Sequence, residues 1–114
     1  LWFHAEDRRP LYLAGLYESW TQPDTEARIR TFTVITTEAN AVVAPVHDRM
    51  PVILAEDDLD AWLHGSSDKG LLIPAPDGLL VADLASTRVN KAGNDDAALL
   101  DPDDPAVVRQ GALF

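Results

Sequence analysis

A cluster of polar side chains directly precedes an apolar run in the middle of the chain. Residues 46–51 read VHDRMP, and the run Val52-Ile53-Leu54 follows. Histidine, the residue type at position 47, is the side chain best suited to move protons near neutral pH. Arg49 lies two residues further on, and residues two apart on a strand share a face. A guanidinium beside an imidazole predicts a site for an oxyanion or a phosphate.

The same residues also have purely structural interpretations. His47 can bond to nearby backbone or simply face solvent, and Arg49 can form an ion pair with Asp48. A metal site at His47 and Asp48 is disfavoured, because the other histidines, His4 and His64, lack ligand spacing relative to His47. We therefore predict neither a metal nor another cofactor.

Composition restricts the class of protein. The 114 residues carry nineteen acidic and nine basic side chains, for a net charge of −10, and no cysteine. A field of that sign repels nucleic acid over most of the surface, so a nucleic-acid contact needs a local basic patch or residues outside this sequence. The absence of cysteine excludes a thiol nucleophile within these residues. No apolar run is long enough to span a membrane, and nothing resembles a signal peptide.

Alternating strands and short helices are the elements that must position the cluster. We expect a hairpin formed by strands over 1–5 and 10–17, and a half-buried strand over 28–37. One or two helical turns follow before His47, and a buried strand comes directly after the cluster. A helix with an acidic first turn is predicted over 56–64, with Leu59, Trp62 and Leu63 on an apolar face that packs on the core, and a strand over 79–84. This order predicts an α+β fold with a largely antiparallel sheet.

The last five residues, QGALF, place two large apolar side chains at a chain end. Such a peptide can insert Leu113 and Phe114 into a groove while Gln110 bonds to its rim. The pattern resembles the short motif by which bacterial DNA-repair proteins bind the replication sliding clamp. The alternative is a tail that folds back onto its own domain, and both interpretations stay open here.

Several segments occur in the order and spacing of one known family. Together they resemble the SRAP domain, the SOS-response-associated peptidase family, which shields abasic sites in single-stranded DNA. The likeness covers nearly all of residues 1–90, and the HDRMP block after TTEAN is its most specific part. The segments are PLYLAGLYESW (10–20), TFTVITTEAN (31–40), VHDRMPVIL (46–54), AWL (61–63) and STRVN (86–90).

The resemblance implies an enzyme and roles for its residues. In this family an N-terminal cysteine, exposed by self-removal of the initiator methionine, captures the aldehyde of an abasic sugar as a thiazolidine crosslink. An asparagine and a glutamate assist it. His47 corresponds to the remaining catalytic member, Arg49 to a residue that contacts DNA phosphate, and Thr36 to one that lines the pocket. The implied fold is a barrel-like, largely antiparallel sheet with short helices, and no cofactor is implied.

The departures from the family pattern limit what these residues can do alone. The cysteine, the asparagine and the glutamate of the family are absent, and the only methionine is Met50. We therefore expect residues 1–93 to be the C-terminal portion of a SRAP domain, inactive by itself, with an upstream portion missing. Residues 94–114 then form an acidic, proline-rich tail. The implied location is cytoplasmic, at the bacterial nucleoid. The alternative function is a non-catalytic binding module tethered to the sliding clamp by QGALF.

Overall fold

Short antiparallel strands and single helical turns make up the chain. The computed structural model of the protein describes residues 1–65 and 68–106. The predicted α+β class, with antiparallel strands and short helices, is confirmed. The strands that the described residues form are β1 Trp2–Ala5, β2 Tyr12–Leu13, β3 Gly15–Thr21, β4 Arg28–Val34, β5 Thr36–Glu38, β6 Arg49–Pro51, β7 Ile53–Leu54 and β8 Leu80–Asp83. The helical segments are α1 Leu59–Leu63 and the 3₁₀ turns Glu56–Asp58, Lys69–Leu71, Asp77–Leu79, Thr87–Asn90 and Ala97–Leu100.

The strands pair two by two. β1 pairs with β8, β2 with β7, β3 with β4, and β5 with β6, always antiparallel. These described strands do not close into a barrel. Among the helices of the described chain, none is long and apolar enough to cross a membrane.

The chain divides into two compact units. One unit is Leu11–Ala75, and the other consists of Leu1–Pro10 together with the described residues 76–106. The second unit holds the β1–β8 pair, in which Ala5 lies opposite Leu80 and Phe3 opposite Ala82. The first unit holds the polar cluster around His47.

The predicted hairpin between residues 1–5 and 10–17 is wrong. β1 pairs instead with the distant β8, which buries Ala5 and Leu80. The chain turns away after β1, with the Arg8 backbone donating to the oxygen of Ala5 at 2.8 Å and Arg8 itself at a φ of 59°. Pro10 then has no N–H to donate to a neighbouring strand. Burying Ala5 and Leu80 between β1 and β8 therefore stabilises the fold more than the shorter loop of a local hairpin would.

Three strand pairs of the Leu11–Ala75 unit meet at a buried backbone ring, which we call the node. Ala14 separates β2 from β3, Ile35 separates β4 from β5, and Val52 separates β6 from β7. Ala14 donates to the oxygen of Val52, Val52 to that of Ile35, and Ile35 to that of Ala14, each at 2.9 Å. Ala14 and Val52 are fully buried. Three two-stranded arms therefore diverge from one point, and the β5–β6 arm carries the polar cluster.

Side chains from the following helix cover the node. Ala14, Val52 and Leu54 form a buried apolar cluster, and Leu59 and Trp62 pack against it. The expected role of Trp62 as a core residue is confirmed. Leu63, which we expected on the same apolar face, is 76% exposed. The helix spans only Leu59–Leu63, so only the side of it that carries Leu59 and Trp62 packs on the core.

Candidate functional site

The β5–β6 arm presents the polar cluster at its surface. Arg49 lies opposite Glu38, and Pro51 lies opposite Thr36. Side chains alternate between the faces of a strand, so Thr36, Glu38 and Arg49 share one face while Met50 lies on the other. Met50 is only 2% exposed. This alternation anchors the arm through Met50 and leaves Arg49 and Thr36 accessible to solvent.

Thr36 holds one nitrogen of the Arg49 guanidinium. Nη2 of Arg49 donates to the backbone oxygen of Thr36 at 2.8 Å and to its Oγ1 at 3.1 Å. Within residues 1–65 and 68–106, the Nε and Nη1 atoms of Arg49 bond to no protein group. The described residues also contain no ion pair between Arg49 and Asp48, and the carboxylate of Asp48 lies instead 3.2 Å from Nδ1 of His47. A guanidinium fixed on one side and open on the other can bind a phosphate through its remaining N–H groups.

The imidazole of His47 is held through one nitrogen and exposed at the other. The backbone N–H of Arg49 donates to Nδ1 of His47 at 3.0 Å. The same Nδ1 lies 3.1 Å from the backbone oxygen of Arg49 and 3.2 Å from a carboxylate oxygen of Asp48. A neutral ring that accepts at Nδ1 carries its proton on Nε2, whereas a protonated Nδ1 has two acceptors beside it. The side chain is 67% exposed, so Nε2 is accessible to a ligand.

A buried asparagine fixes the turn that leads to His47. Asn40 is 6% exposed, and its Oδ1 accepts from the backbone N–H groups of Val42 and Val43 at 3.2 and 3.1 Å. Its Nδ2 donates to the backbone oxygen of Ala75 at 3.1 Å. The backbone N–H of His47 then donates to the oxygen of Val43 at 3.0 Å, which closes the turn. Asn40 therefore acts as an N-cap whose turn ends at His47.

The structure brings together three of the residues that the sequence singled out. The ring of His47 bonds to the backbone of Arg49, and the guanidinium of Arg49 bonds to Thr36. Gln110, Leu113 and Phe114 lie outside the described residues, so their role stays a prediction. Within the described chain, no group of three or more His, Cys, Asp or Glu side chains is arranged to hold a metal ion.

A second polar cluster ties the STRVN segment to the acidic stretch behind it. Both carboxylate oxygens of Asp103 accept: Oδ1 from Ser86 Oγ at 2.8 Å, and Oδ2 from the Thr87 hydroxyl and backbone N–H at 2.7 and 3.0 Å. These bonds, led by the one from the Thr87 hydroxyl, lower the pKa of Asp103. Arg88 donates to Asp96 at 2.8 Å and likewise lowers the pKa of that carboxyl.

The sequence indicates no role for Asn40 and does not indicate the contact between Asp48 and His47. Asn40 ends the TTEAN segment, and an asparagine ahead of a short apolar segment is a helix-start signal. By sequence Asp48 can pair with Arg49, whereas in the structure it contacts His47. The signal for that contact is weak, since adjacent residues on a strand point to opposite faces. His47 lies just before β6, where this rule does not apply.

Comparison with known proteins identifies the family. Residues 1–92 match the sequence model of the SOS response associated peptidase (SRAP) family. The chain belongs to the SRAP family. A SRAP relative, the abasic site processing protein YoaM of Bacillus subtilis, is 38% identical over 96 residues. That match covers 80% of this chain and 42% of YoaM. The abasic site processing protein HMCES of Gallus gallus is 29% identical over 106 residues, which cover 90% of this chain and 32% of HMCES.

A solved structure shares the fold of this SRAP chain. A protein from Bacteroides thetaiotaomicron superimposes with a TM-score of 0.75 at 26% sequence identity. The match covers 88% of this chain and 46% of the Bacteroides protein. The chain therefore spans less than half the length of the relatives and of the solved structure that it matches.

Proposed function

We propose that this chain is part of a protein that binds abasic sites in single-stranded DNA, and that the β5–β6 arm contacts the lesion. The observation that carries the proposal is the guanidinium of Arg49, fixed by Thr36 and with Nε and Nη1 bonded to no described residue, together with the exposed ring of His47, which bonds to the Arg49 backbone. An abasic nucleotide keeps its phosphates and offers a sugar oxygen or an aldehyde in place of a base. A bidentate cation next to a titratable imidazole matches those two groups.

In this proposal Arg49 binds a phosphate next to the lesion and Thr36 orients the guanidinium. Lysine at position 49 should do both less well, because an ammonium lacks the planar fork that donates two parallel bonds to a phosphate while a further N–H is held by Thr36. The negative charge of the chain, −10, makes such a localised cation necessary. Binding then depends on a few well-placed groups and not on a broad basic surface.

His47 transfers protons at Nε2 while the sugar ring opens. The protonated ring donates its Nε2 proton to the sugar ring oxygen, while the anomeric hydroxyl gives its proton to water and becomes the aldehyde. In the neutral ring, the backbone N–H of Arg49 donates to Nδ1. When the ring is protonated on both nitrogens, Asp48 and the Arg49 backbone oxygen can accept from Nδ1. Both protonation states of the ring therefore have suitable hydrogen-bond partners, as a proton shuttle requires.

The covalent step needs groups that this chain lacks. It contains no cysteine, so the nucleophile must come from the remainder of a SRAP domain. There an N-terminal cysteine, freed by removal of the initiator methionine, condenses its α-amine with the aldehyde and releases water. Addition of the thiol to the resulting imine closes a thiazolidine. We propose that the same remainder adds strands to the open arms and completes a barrel-like sheet, and that the protein acts in the cytoplasm at the nucleoid, in the SOS response.

A chimera can test this function. Residues 1–114 replace the matching segment of YoaM, and the chimera is incubated with single-stranded DNA that carries one abasic site or none. We expect a denaturation-resistant conjugate with the abasic strand alone. The control is the same chimera with Arg49 and His47 both changed to alanine, which should lose most of the conjugate. Equal conjugation by the control would remove the β5–β6 arm from the proposed function.

A second proposal concerns the chain end. QGALF has the glutamine and the two apolar residues of a clamp-binding peptide, and it follows an acidic, proline-containing stretch. We propose that Gln110, Leu113 and Phe114 bind the replication sliding clamp, which would bring the repair activity to the replication fork. The full chain should be retained on immobilised bacterial clamp, and the Leu113→Ala/Phe114→Ala variant should not. Retention of both would refute the proposal.

A further inference from the structure

One face of the β3–β4 hairpin combines aromatic and basic side chains. The two strands pair antiparallel along their whole length, and alternate positions of each strand share a face. Every residue of β4, and every residue of β3 after Gly15, is exposed. The face in question, which we call the aromatic–arginine face, consists of Tyr17, Ser19, Thr21, Arg28, Arg30 and Phe32.

Two aromatic rings lie side by side on this face. Tyr17 and Phe32 are directly opposite each other and are 80% and 82% exposed. Together with Arg30 and Thr31 they line an open groove of about 420 Å³. That volume lies within the range of roughly 300–1,000 Å³ that is typical of small-ligand pockets. Flat rings exposed to solvent are platforms on which the bases of an unpaired nucleic-acid strand can stack.

The two arginines of the face are open to solvent. Nε of Arg28 donates to Oγ of Ser19 at 2.8 Å, across the strand pair. Within residues 1–65 and 68–106, neither Arg28 nor Arg30 forms an ion pair. A neighbouring hydroxyl thus orients the guanidinium of Arg28, as the hydroxyl of Thr36 orients that of Arg49. A guanidinium held in this way binds phosphate through its remaining N–H groups.

The distribution of charge sets this face apart from the rest of the Leu11–Ala75 unit. The hairpin strands contain one acidic side chain, Glu18, which lies on the opposite face. Asp24 and Glu26 lie in the turn that joins the strands. Of the basic side chains of the unit, only Lys69 lies outside the hairpin and the β5–β6 arm. The face is therefore a local basic patch on a chain of net charge −10, which is what contact with nucleic acid requires here.

The chain connects this face directly to the candidate site. Ile35 is the single residue between β4 and β5, so Phe32 precedes Thr36 by four residues. Four residues of extended chain span at most about 14 Å. Thr36 in turn holds the guanidinium of Arg49. A DNA strand bound at Arg49 can therefore reach the hairpin within a few nucleotides.

We propose that the aromatic–arginine face binds the single-stranded DNA next to the abasic site. Tyr17 and Phe32 stack with its bases, and Arg28 and Arg30 bind its phosphates. Such contacts do not read base identity, so the binding is independent of sequence. The inference rests on the proposed function, because it extends the strand whose lesion the β5–β6 arm contacts. The opposite face suits DNA less well, since the carboxylate of Glu18 repels phosphate.

Binding to undamaged single-stranded DNA tests this face without the chemistry of the lesion. The YoaM chimera is titrated by fluorescence anisotropy with a mixed-sequence oligonucleotide across a salt series. Arg28→Ala/Arg30→Ala should reduce the slope of log affinity against log salt by about 1.4, the value for two phosphates on a single strand. The matched control, Lys69→Ala/Lys91→Ala, removes two exposed cations elsewhere and should leave the slope unchanged. An unchanged slope in the arginine variant, or no binding by the parent chimera, would refute the proposal.

Tyr17→Leu/Phe32→Leu separates stacking from packing. Leucine keeps apolar bulk on the face but has no ring, so a face that only packs on protein should tolerate the change. We expect at least a tenfold loss of affinity for single-stranded DNA with the salt slope unchanged, because stacking involves no phosphate. Tyr12→Leu, a change in an exposed aromatic residue on β2, should have no effect. Parent affinity in the double variant would exclude stacking on this face.

Photocrosslinking distinguishes failure of this inference from failure of the proposed function. The chimera is conjugated to abasic single-stranded DNA that carries one iodouracil, placed on one side of the lesion or on the other, and the irradiated products are mapped by mass spectrometry. We expect an adduct on Tyr17 or Phe32 from one of the two strands. Conjugation without such an adduct would overturn this inference alone. Binding of undamaged DNA through the aromatic–arginine face, without any conjugation to abasic DNA, would contradict the proposed function alone.

Discussion

Nη2 of Arg49 donates to both oxygens of Thr36, which lies two residues along β5 from Glu38, the cross-strand partner of Arg49. The bond to the Thr36 backbone keeps the guanidinium on the arm whatever side chain stands at position 36. The bond to the hydroxyl fixes the plane of the guanidinium. Substitutions of Arg49 therefore test whether the cation is needed, and a substitution of the Thr36 hydroxyl tests whether its orientation matters.

Arg49→Ala should reduce the affinity of the chimera for abasic single-stranded DNA by roughly 10- to 100-fold, the effect of losing one charge-assisted contact. It should also reduce the slope of log affinity against log salt by about 0.7, the value for one phosphate on a single strand. Fluorescence anisotropy across a salt series measures both. Arg9→Ala, a change in an exposed arginine outside the site, should alter neither. An unchanged salt slope in Arg49→Ala would show that Arg49 contacts no phosphate.

Thr36→Val keeps the backbone acceptor and removes only the hydroxyl. We predict a loss of about threefold to tenfold in affinity, from a bond of about 1 kcal/mol whose loss leaves the guanidinium held by the backbone oxygen alone. Arg49→Lys should lose about as much as Arg49→Ala, because an ammonium cannot serve Thr36 and a phosphate with one planar fork. Full affinity in Arg49→Lys would mean that charge alone, and not the fork, binds the DNA.

Asn40→Ala should destabilise the chain by about 1–3 kcal/mol, because it removes an N-cap and leaves buried backbone groups without partners. Urea unfolding of the 114-residue chain measures the change. Asn40→Ser, which keeps an oxygen for the cap, should recover part of it. In the chimera, Asn40→Ala should also slow conjugation, since the turn that Asn40 caps ends at His47. Equal stability of the alanine variant would show that the turn forms without its cap.

The link between Asp103 and Ser86–Thr87 should weaken in acid. The pKa of Asp103 is lowered by its hydrogen bonds, so the folded chain holds this proton less tightly than the unfolded chain. The stabilisation is therefore complete above the ordinary aspartate value of about 4 and is lost as the pH falls through the lowered pKa. The protection of the Thr87 amide against hydrogen exchange, taken relative to the intrinsic rate at each pH, should fall over that range. In Asp103→Asn this protection should be low throughout, and a Thr87 amide that keeps the parent pH profile in that variant would exclude Asp103 as the cause.

Local patterns predicted most of the elements but not their partners. Alternation in residues 28–37 predicted a strand there, but its predicted half-burial is wrong, since every residue of β4 is exposed. The acidic turn before Leu59 predicted the short helix. The pairing of β1 with β8 was missed, because it depends on burial between Ala5 and Leu80, far apart in the sequence. The node was missed for the same reason. Its three residues, Ala14, Ile35 and Val52, are ordinary apolar residues whose common feature is a backbone bond to one another.

The candidate site was predictable from chemistry and spacing, in part. His47 and Arg49 stood out because a titratable ring and a guanidinium two residues apart suit an anionic ligand. Thr36 was named from the family resemblance alone, and the structure adds its contact with Arg49. Asn40 and Asp48 act through other residues, and such roles become visible only when hydrogen-bond partners are known.

The measurement that tests the central claim most directly separates binding from chemistry in the chimera. The rate of conjugate formation is measured at increasing concentrations of abasic single-stranded DNA for the parent and for His47→Ala. We predict that His47→Ala lowers the saturating rate by roughly 10²-fold or more, the contribution of general acid–base catalysis, with half-saturation almost unchanged. Arg49→Ala should mainly shift half-saturation. A His47→Ala protein that reaches the parent rate at saturation would contradict the claim that this imidazole moves protons in the reaction.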